Sequence, residues 1–157
     1  MAEIVRVEWI TYQRRSDTQD WLSMSELGKA FPLQQRQIKT IDTVIVPRVL
    51  IGVVSLRSRR PERVQVEVEI TYLLMRERTM SGVARTFQRY HAFHAHFVNG
   101  SGLIEIPLAL DADENYFSRA YPDLVMKSVV LKARLVVPMR TGWRSARVDY
   151  LHTPWGD

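Results

Sequence analysis

The sequence predicts an α+β domain, mainly antiparallel and strand-rich with two short helices, and three observations carry that prediction. Apolar and polar residues alternate with a period of two in several segments, most cleanly over residues 64–72. The strand-like segments follow one another through turn residues rather than long helical stretches, which argues against a parallel, doubly wound sheet. The length of 157 residues fits one domain, residues 1–157, large enough to bury a real core.

The elements follow in chain order. Residues 4–12 alternate, with Val5, Val7 and Trp9 on one face and Arg6 and Glu8 on the other, so they predict a half-buried strand. Arg14 to Asp17 form a polar break. Residues 23–30 predict a short helix, because Ser23 and Glu26 have the spacing of a capping box, and Pro32 stops it. Residues 43–56 are almost continuously apolar and β-branched, which predicts a buried strand or two strands hinged at Pro47 and Gly52. Arg57, Arg59, Arg60 and Arg63 around Pro61 predict an exposed turn. Over 64–72, Val64, Val66, Val68, Ile70 and Tyr72 form a dry face and Gln65, Glu67, Glu69 and Thr71 a wet one. Residues 75–86 are expected to form a mobile loop, and residues 88–98 an aromatic-rich strand.

Asn99-Gly100 is a turn signal, so residues 103–110 are expected to pair back onto 88–98 as a hairpin. Asp111 and Glu114 predict a second capped helix to about Ala120, ended by Pro122. Residues 128–137 and 143–151 predict the last two strands, joined through Thr141-Gly142, with Ala146, Val148 and Tyr150 inward. Trp9 and Trp143 are expected in the core. The tail, 153–157, is expected to be loose.

An apolar fraction of 46% and a charged fraction of 25% are ordinary for an ordered domain. No apolar run approaches the roughly 18 residues of a spanning helix. The N-terminus lacks a signal peptide's basic-then-apolar design, so a cytosolic or nuclear protein is expected, unless it leaves inside a particle. With no cysteine, the chain has no disulfide, no thiolate nucleophile and none of the usual structural zinc sites.

The charge says more. There are 22 basic residues against 17 acids, a net of +5, and all the basic residues but Lys29, Lys39, Lys127 and Lys132 are arginines. Arginine's planar fork suits phosphates and carboxylates and tolerates interfaces. A basic, arginine-dominated small protein points to nucleic acid, anionic lipid or an acidic protein partner. The arginines fall into three local groups: Arg57, Arg59, Arg60 and Arg63; Arg76, Arg78, Arg85 and Arg89; and Arg140, Arg144 and Arg147. The first group, with Arg76 and Arg78, is the candidate surface for lipid, nucleocapsid or RNA. Trp21 and Trp155 have no obvious core slot and are the candidates for self-association, although Trp21 equally suits a staple onto its own helix.

Other constellations are weaker. In a strand, His94 and His96 share a side that His91 does not, and a metal needs three or four ligands. An ordinary amphipathic strand accounts for this pattern better, with a pH-sensitive interface as the alternative. Glu67 with Glu69, and Asp111 with Asp113 and Glu114, are neighbours in sequence, unlike carboxylates that converge from different elements for glycoside hydrolysis. No nucleophile elbow, phosphate loop or dinucleotide fingerprint is present. A non-enzymatic protein without cofactor or metal is expected.

The order of elements carries a resemblance. A first strand with Val5 to Trp9, a helix from Ser23 to Phe31 and a buried strand ending in Gly52-Val53-Val54-Ser55-Leu56-Arg57 come first. Asn115-Tyr116-Phe117-Ser118, Asp123-Leu124, a strand from Val129 to Val137, Gly142-Trp143 and Val148-Asp149-Tyr150-Leu151-His152 close the chain. This resembles the matrix proteins of rhabdoviruses, most closely over residues 116–152. The chain lacks the lysine-rich N-terminal arm and the Pro-Pro-x-Tyr motif of the animal-virus members, which suits a plant- or invertebrate-virus relative. The resemblance implies a virion protein that self-assembles, condenses the nucleoprotein–RNA complex and contacts the anionic inner leaflet. It would lie in the host cytoplasm or nucleus and peripherally on membranes, with a viral glycoprotein tail as a further partner. The competing expectation is a plant-virus capsid or movement protein of jelly-roll type that binds RNA directly, a class that usually carries a basic arm absent here.

Overall fold

The computed structural model describes residues 1–15, 18–23, 49–76 and 85–149. They form one antiparallel sheet of six strands and one helix: β1 (Glu3–Arg15), β2 (Thr18–Ser23), β3 (Val49–Arg76), β4 (Arg85–Ala109), α1 (Leu110–Ala120), β5 (Leu124–Val137) and β6 (Arg144–Asp149).

β3 organises the whole. Its 28 residues pair with β4 along nearly their full length on one side. On the other side, β1 occupies the first half, from Glu3↔Arg57 to Thr11↔Leu50, and β5 the second, from Gln65↔Val137 to Arg76↔Leu124. β2 extends the sheet beyond β1, and β6 beyond β5. Between the halves, the β3–β4 register jumps from Ser58↔Gly100 to Glu62↔Val98. Gly100 lies there at φ +81°, a conformation that costs a residue with a Cβ far more than glycine. Such an irregularity bends a sheet and increases its twist, and here the halves fold face to face.

The packing follows from parity. Leu50, Val54 and Leu56 in the first half of β3, and Val64, Val66, Val68, Ile70, Tyr72 and Leu74 in the second, all point inward. Ile104, Ile106 and Leu108 of β4 and Val129, Leu131, Ala133 and Leu135 of β5 meet them. A Cβ on Gly52 would sit 3.0 Å from Leu131 Cδ2 and 3.3 Å from Trp9 Cζ3, so the halves touch across this glycine. Trp9, fully buried, donates its indole N–H to the Ala146 carbonyl at 3.1 Å and ties β1 to β6. α1 caps the end of the core with Phe117, whose ring meets Tyr72 edge-on at 5.8 Å.

Several expectations change. Ser23 ends β2 rather than capping a helix; the rest of the expected helix, 24–30, lies outside the described residues, as do 43–48, 77–84 and 150–157. Gly52 is a packing contact inside a continuous strand, not a hinge. Asn99-Gly100 continues β4 instead of making a hairpin turn, the extra residues of the register jump being Arg59, Arg60 and Pro61 of β3, so residues 103–109 pair with the first half of β3 and not with 88–98. The chain from Arg57 to Arg63 remains in β3. Met75 and Arg76 end that strand, and Arg85 begins β4. α1 starts at Leu110 after Ala109, which makes no side-chain cap, so Asp111 is not the capping residue. Its end is as expected, before Pro122. Trp143 is 39% exposed rather than core.

Candidate functional site

The bend is built by β3 itself. Ser58 is buried, and its hydroxyl donates to the Arg60 carbonyl at 2.7 Å and accepts from the Arg60 N–H at 3.3 Å. Such a local side-chain bond replaces ladder bonds lost where pairing is interrupted. Pro61 cannot donate to a ladder and suits this position. Behind it, the Glu62 carboxylate accepts from the Ala2 backbone N–H at 2.6 Å. A strand with no room for long side chains inside therefore turns Arg57, Arg59, Arg60 and Arg63 out to solvent.

Their electrostatic states differ. Arg57 pairs with Glu3 across the β1–β3 ladder, its Nε at 3.1 Å from Oε1. The Glu3 carboxyl is held below its usual pKa first by that Arg57 hydrogen bond and charge, with Arg144 and Arg59 adding their fields. Arg144, distant in sequence, donates to the Ile4 carbonyl at 2.6 Å. The fold thus adds Arg144 to the first group and partly neutralises Arg57. Arg59, Arg60 and Arg63 make no ion pair among the described residues and supply the available positive charge.

The other groups do not hold together. Arg76 is exposed at the far end of β3, roughly 40 Å from Arg63 at about 3.3 Å per residue, so it does not join this site. Arg78 lies outside the described residues. Arg89 binds Asp113 at 2.9 Å, and the same carboxylate accepts from the Tyr72 hydroxyl at 2.6 Å. Burial, then Asp113, pushes the Tyr72 hydroxyl's pKa far up. Arg85 lies over the Tyr121 ring at 5.5 Å. Arg147 pairs with Asp149 at 2.6 Å, and Arg140 is exposed. Arg89 fastens α1 to β4 and Arg85 holds the residue after the helix, whereas Arg147 and Asp149 pair within β6 itself. Trp21 is in β2 opposite Tyr12, and Trp155 lies outside the described residues.

The outer face of the second half carries a row that sequence reading missed. β-pairing sets Phe93, Glu67 and Arg134 side by side on β4, β3 and β5. Glu67, expected on the wet face, is buried. It accepts from Arg134 Nε at 2.7 Å and is 2.8 Å from His91 Nε2. His91, then Arg134, lowers the Glu67 pKa. The Arg134 guanidinium stacks 4.2 Å from the Trp143 ring centroid. Only the alternation of 64–72 hinted at this row; which partners stood beside Glu67 depended on register.

On the inner face, His94 shares a 2.7 Å hydrogen bond with Tyr90, and burial, then the charge of His96, lowers its pKa. The His96 ring lies against Gly102, where a Cβ would be 2.9 Å from Nε2. No metal-binding group of three or more His, Asp or Glu forms among the described residues, and no helix there is long and apolar enough to cross a membrane.

No protein-family model matches the sequence, and no curated protein matches it. Among the solved structures that show distant likeness are two β-glucosidases. A β-glucosidase from Erythrobacter marinus is 14% identical at a TM-score of 0.34, over 68% of this chain and 13% of that one. A GH3 β-glucosidase from Bifidobacterium adolescentis is 14% identical at a TM-score of 0.33, over 65% of this chain and 15% of that one. The chain thus spans a small part of either neighbour, and likeness at that level says nothing about its chemistry.

Proposed function

We propose that the chain is a non-enzymatic viral structural protein of the matrix type, which self-assembles, condenses the nucleoprotein–RNA particle and contacts the inner leaflet of the envelope. In this reading residues 1–157 are a single α+β, matrix-like domain. The observation that carries it is the bend of β3, where Arg59, Arg60 and Arg63 face solvent without ion pairs among the described residues, beside Arg57 and Arg144. A close set of free arginines on a rigid strand attracts phosphate-rich surfaces with a salt-dependent strength. The resemblance of element order supplies the class of partner, and the arginines supply the chemistry.

The test is cosedimentation with anionic liposomes and, separately, single-stranded RNA over a salt series. Each basic residue near an anionic leaflet contributes about 1 kcal/mol. Replacing Arg57, Arg59, Arg60 and Arg63 by Gln together is therefore expected to weaken liposome binding roughly 100-fold, Arg57 being partly neutralised already. Glu3→Gln should strengthen it, by roughly five-fold at about 1 kcal/mol for one unmasked charge. Unchanged liposome binding in the folded quadruple variant would sink the assignment. Tight RNA binding without lipid binding would favour a capsid or movement protein.

A further inference from the structure

β4 pairs with β3 on one side only, and among the described residues nothing pairs with its other edge. A free edge offers a row of unsatisfied N–H and C=O groups, and proteins usually blunt such edges with Lys, Pro, bulges or inward charges. Irregularities bound the long ladder of β4 at either end. Between Ile70 and Thr71 of β3 the extra residue is Arg89 of β4, and between Ser58 and Glu62 the extra residues are β3's, opposite Asn99 and beside Gly100 at positive φ. The stretch between them, Tyr90-His91-Ala92-Phe93-His94-Ala95-His96-Phe97-Val98, has no Asp, Glu, Lys, Arg or Pro, in a chain whose charged fraction is 25%. It runs in unbroken register with β3 from Ile70↔Tyr90 to Glu62↔Val98. On its outer face Phe93 and Phe97 are 52% and 58% exposed, with exposed Ala95 between them.

The stretch is also nearly palindromic in residue type about Ala95. His94 mirrors His96, Phe93 mirrors Phe97, and Ala92 mirrors Val98. An antiparallel strand is the only partner that reads such a sequence backwards against itself. We propose that the free edge of β4 pairs with the same edge of a second copy of this chain, antiparallel, about a two-fold axis through Ala95. Each Phe93 then stands opposite the partner's Phe97, twice per dimer, and aromatic cross-strand pairs are among the favourable ones. A pairing centred one residue away, on His94, would set Phe93 opposite alanine and forfeit both aromatic pairs. The contact is isologous, so it closes as a dimer rather than growing into a fibre. It joins two outer faces, each with its row of Phe93, Glu67, Arg134 and Trp143, into one continuous sheet.

The inference deepens the self-assembly part of the proposed reading and does not depend on the anionic partner. The test is sedimentation velocity of the full chain from 1 to 200 µM, on the order of a weak dimer's range. The wild type is expected to dimerise. Ala95→Lys and Ala95→Glu each set like charges opposite each other across the axis, and each is expected to be monomeric with an unchanged thermal transition, because position 95 is exposed. Mixing the two variants in equal amounts should restore the dimer, which only a pairing with position 95 opposite itself can do. A monomeric wild type, a dimer that survives Ala95→Lys, or failure of the mixture to dimerise would overturn the proposal. The variant with Arg57, Arg59, Arg60 and Arg63 replaced by Gln should dimerise as wild type does, so loss of lipid binding and loss of pairing are read separately.

Discussion

At the seam between the halves, Gly52 of β3 faces Leu131 and Trp9 so closely that an added Cβ would meet them at 3.0 and 3.3 Å. A few residues further along the same strand, Arg57, Arg59 and Arg60 stand in water. The seam is dry and fixed by contacts from three strands distant in sequence. The bend is wet: among the described residues, Arg57 is held only by its pair with Glu3, and Arg59 and Arg60 make no ion pair. Substitution at the seam should therefore be read in stability and substitution at the bend in binding, and a residue that moves both readouts would break the division.

The largest effect is expected from Trp9→Ala. Removing a buried tryptophan costs about 3–5 kcal/mol, comparable to the total stability of a small domain. It also orphans the Ala146 carbonyl. Near-ultraviolet circular dichroism should show lost tertiary packing; a cooperative transition close to that of wild type would mean that the seam does not hold the halves together. Gly52→Val overpacks the same place and should cost about 1–3 kcal/mol in urea unfolding, while lipid binding per folded molecule stays at the wild-type level.

Tyr72→Phe should cost about 1 kcal/mol, the net worth of a typical hydrogen bond. It removes the hydroxyl that donates to Asp113 and leaves Arg89 on that carboxylate. Thermal unfolding of the single variant and of Tyr72→Phe with Asp113→Asn would sharpen this, since the second change should then cost less than it does alone.

The smallest effect concerns pH. The Glu67 carboxyl is held below the ordinary carboxyl value of 4.5, first by His91 and then by Arg134. A carboxyl with a depressed folded pKa binds its proton more readily in the unfolded chain. Its contribution is present above about pH 4.5 and is lost as pH falls through the folded value. Melting temperatures measured from pH 6 downward should fall more steeply for wild type than for Glu67→Gln; parallel curves would show that the His91–Glu67–Arg134 group does not contribute.

The parts legible in the sequence were those set by local pattern. The alternation of residues 64–72 placed Val64 to Tyr72 inside, the partners of Trp9 and Val148 sat in clear strands, and Pro122 marked the end of α1. The parts that were not legible depended on register. Asn99-Gly100 carries the local chemistry of a hairpin turn, yet Gly100 keeps its positive φ inside a continuous β4, and only the long ladder with β3 decides between turn and strand. Glu67 reads as solvated until Arg134 and His91 stand beside it. Trp143 reads as core, but the stretch before β6 leaves it stacked on Arg134 at the surface. The first arginine group was visible as a cluster, whereas Arg144 and Glu3 joined it only through the fold.

β3 has a consequence for how the chain acquires its structure. Val49–Arg76 is the hydrogen-bonding partner of β1, β4 and β5, so neither half owns a complete sheet and neither can be cut away as a unit that folds alone. The contact that closes the seam, Trp9 to Ala146, spans 137 positions. Topologies dominated by such remote pairings fold slowly, typically over milliseconds to seconds, and in one cooperative step. On the ribosome Trp9 must wait for β6 to emerge, and until then the long β3–β4 hairpin is, among the described residues, the largest structure that pairing of consecutive strands can assemble.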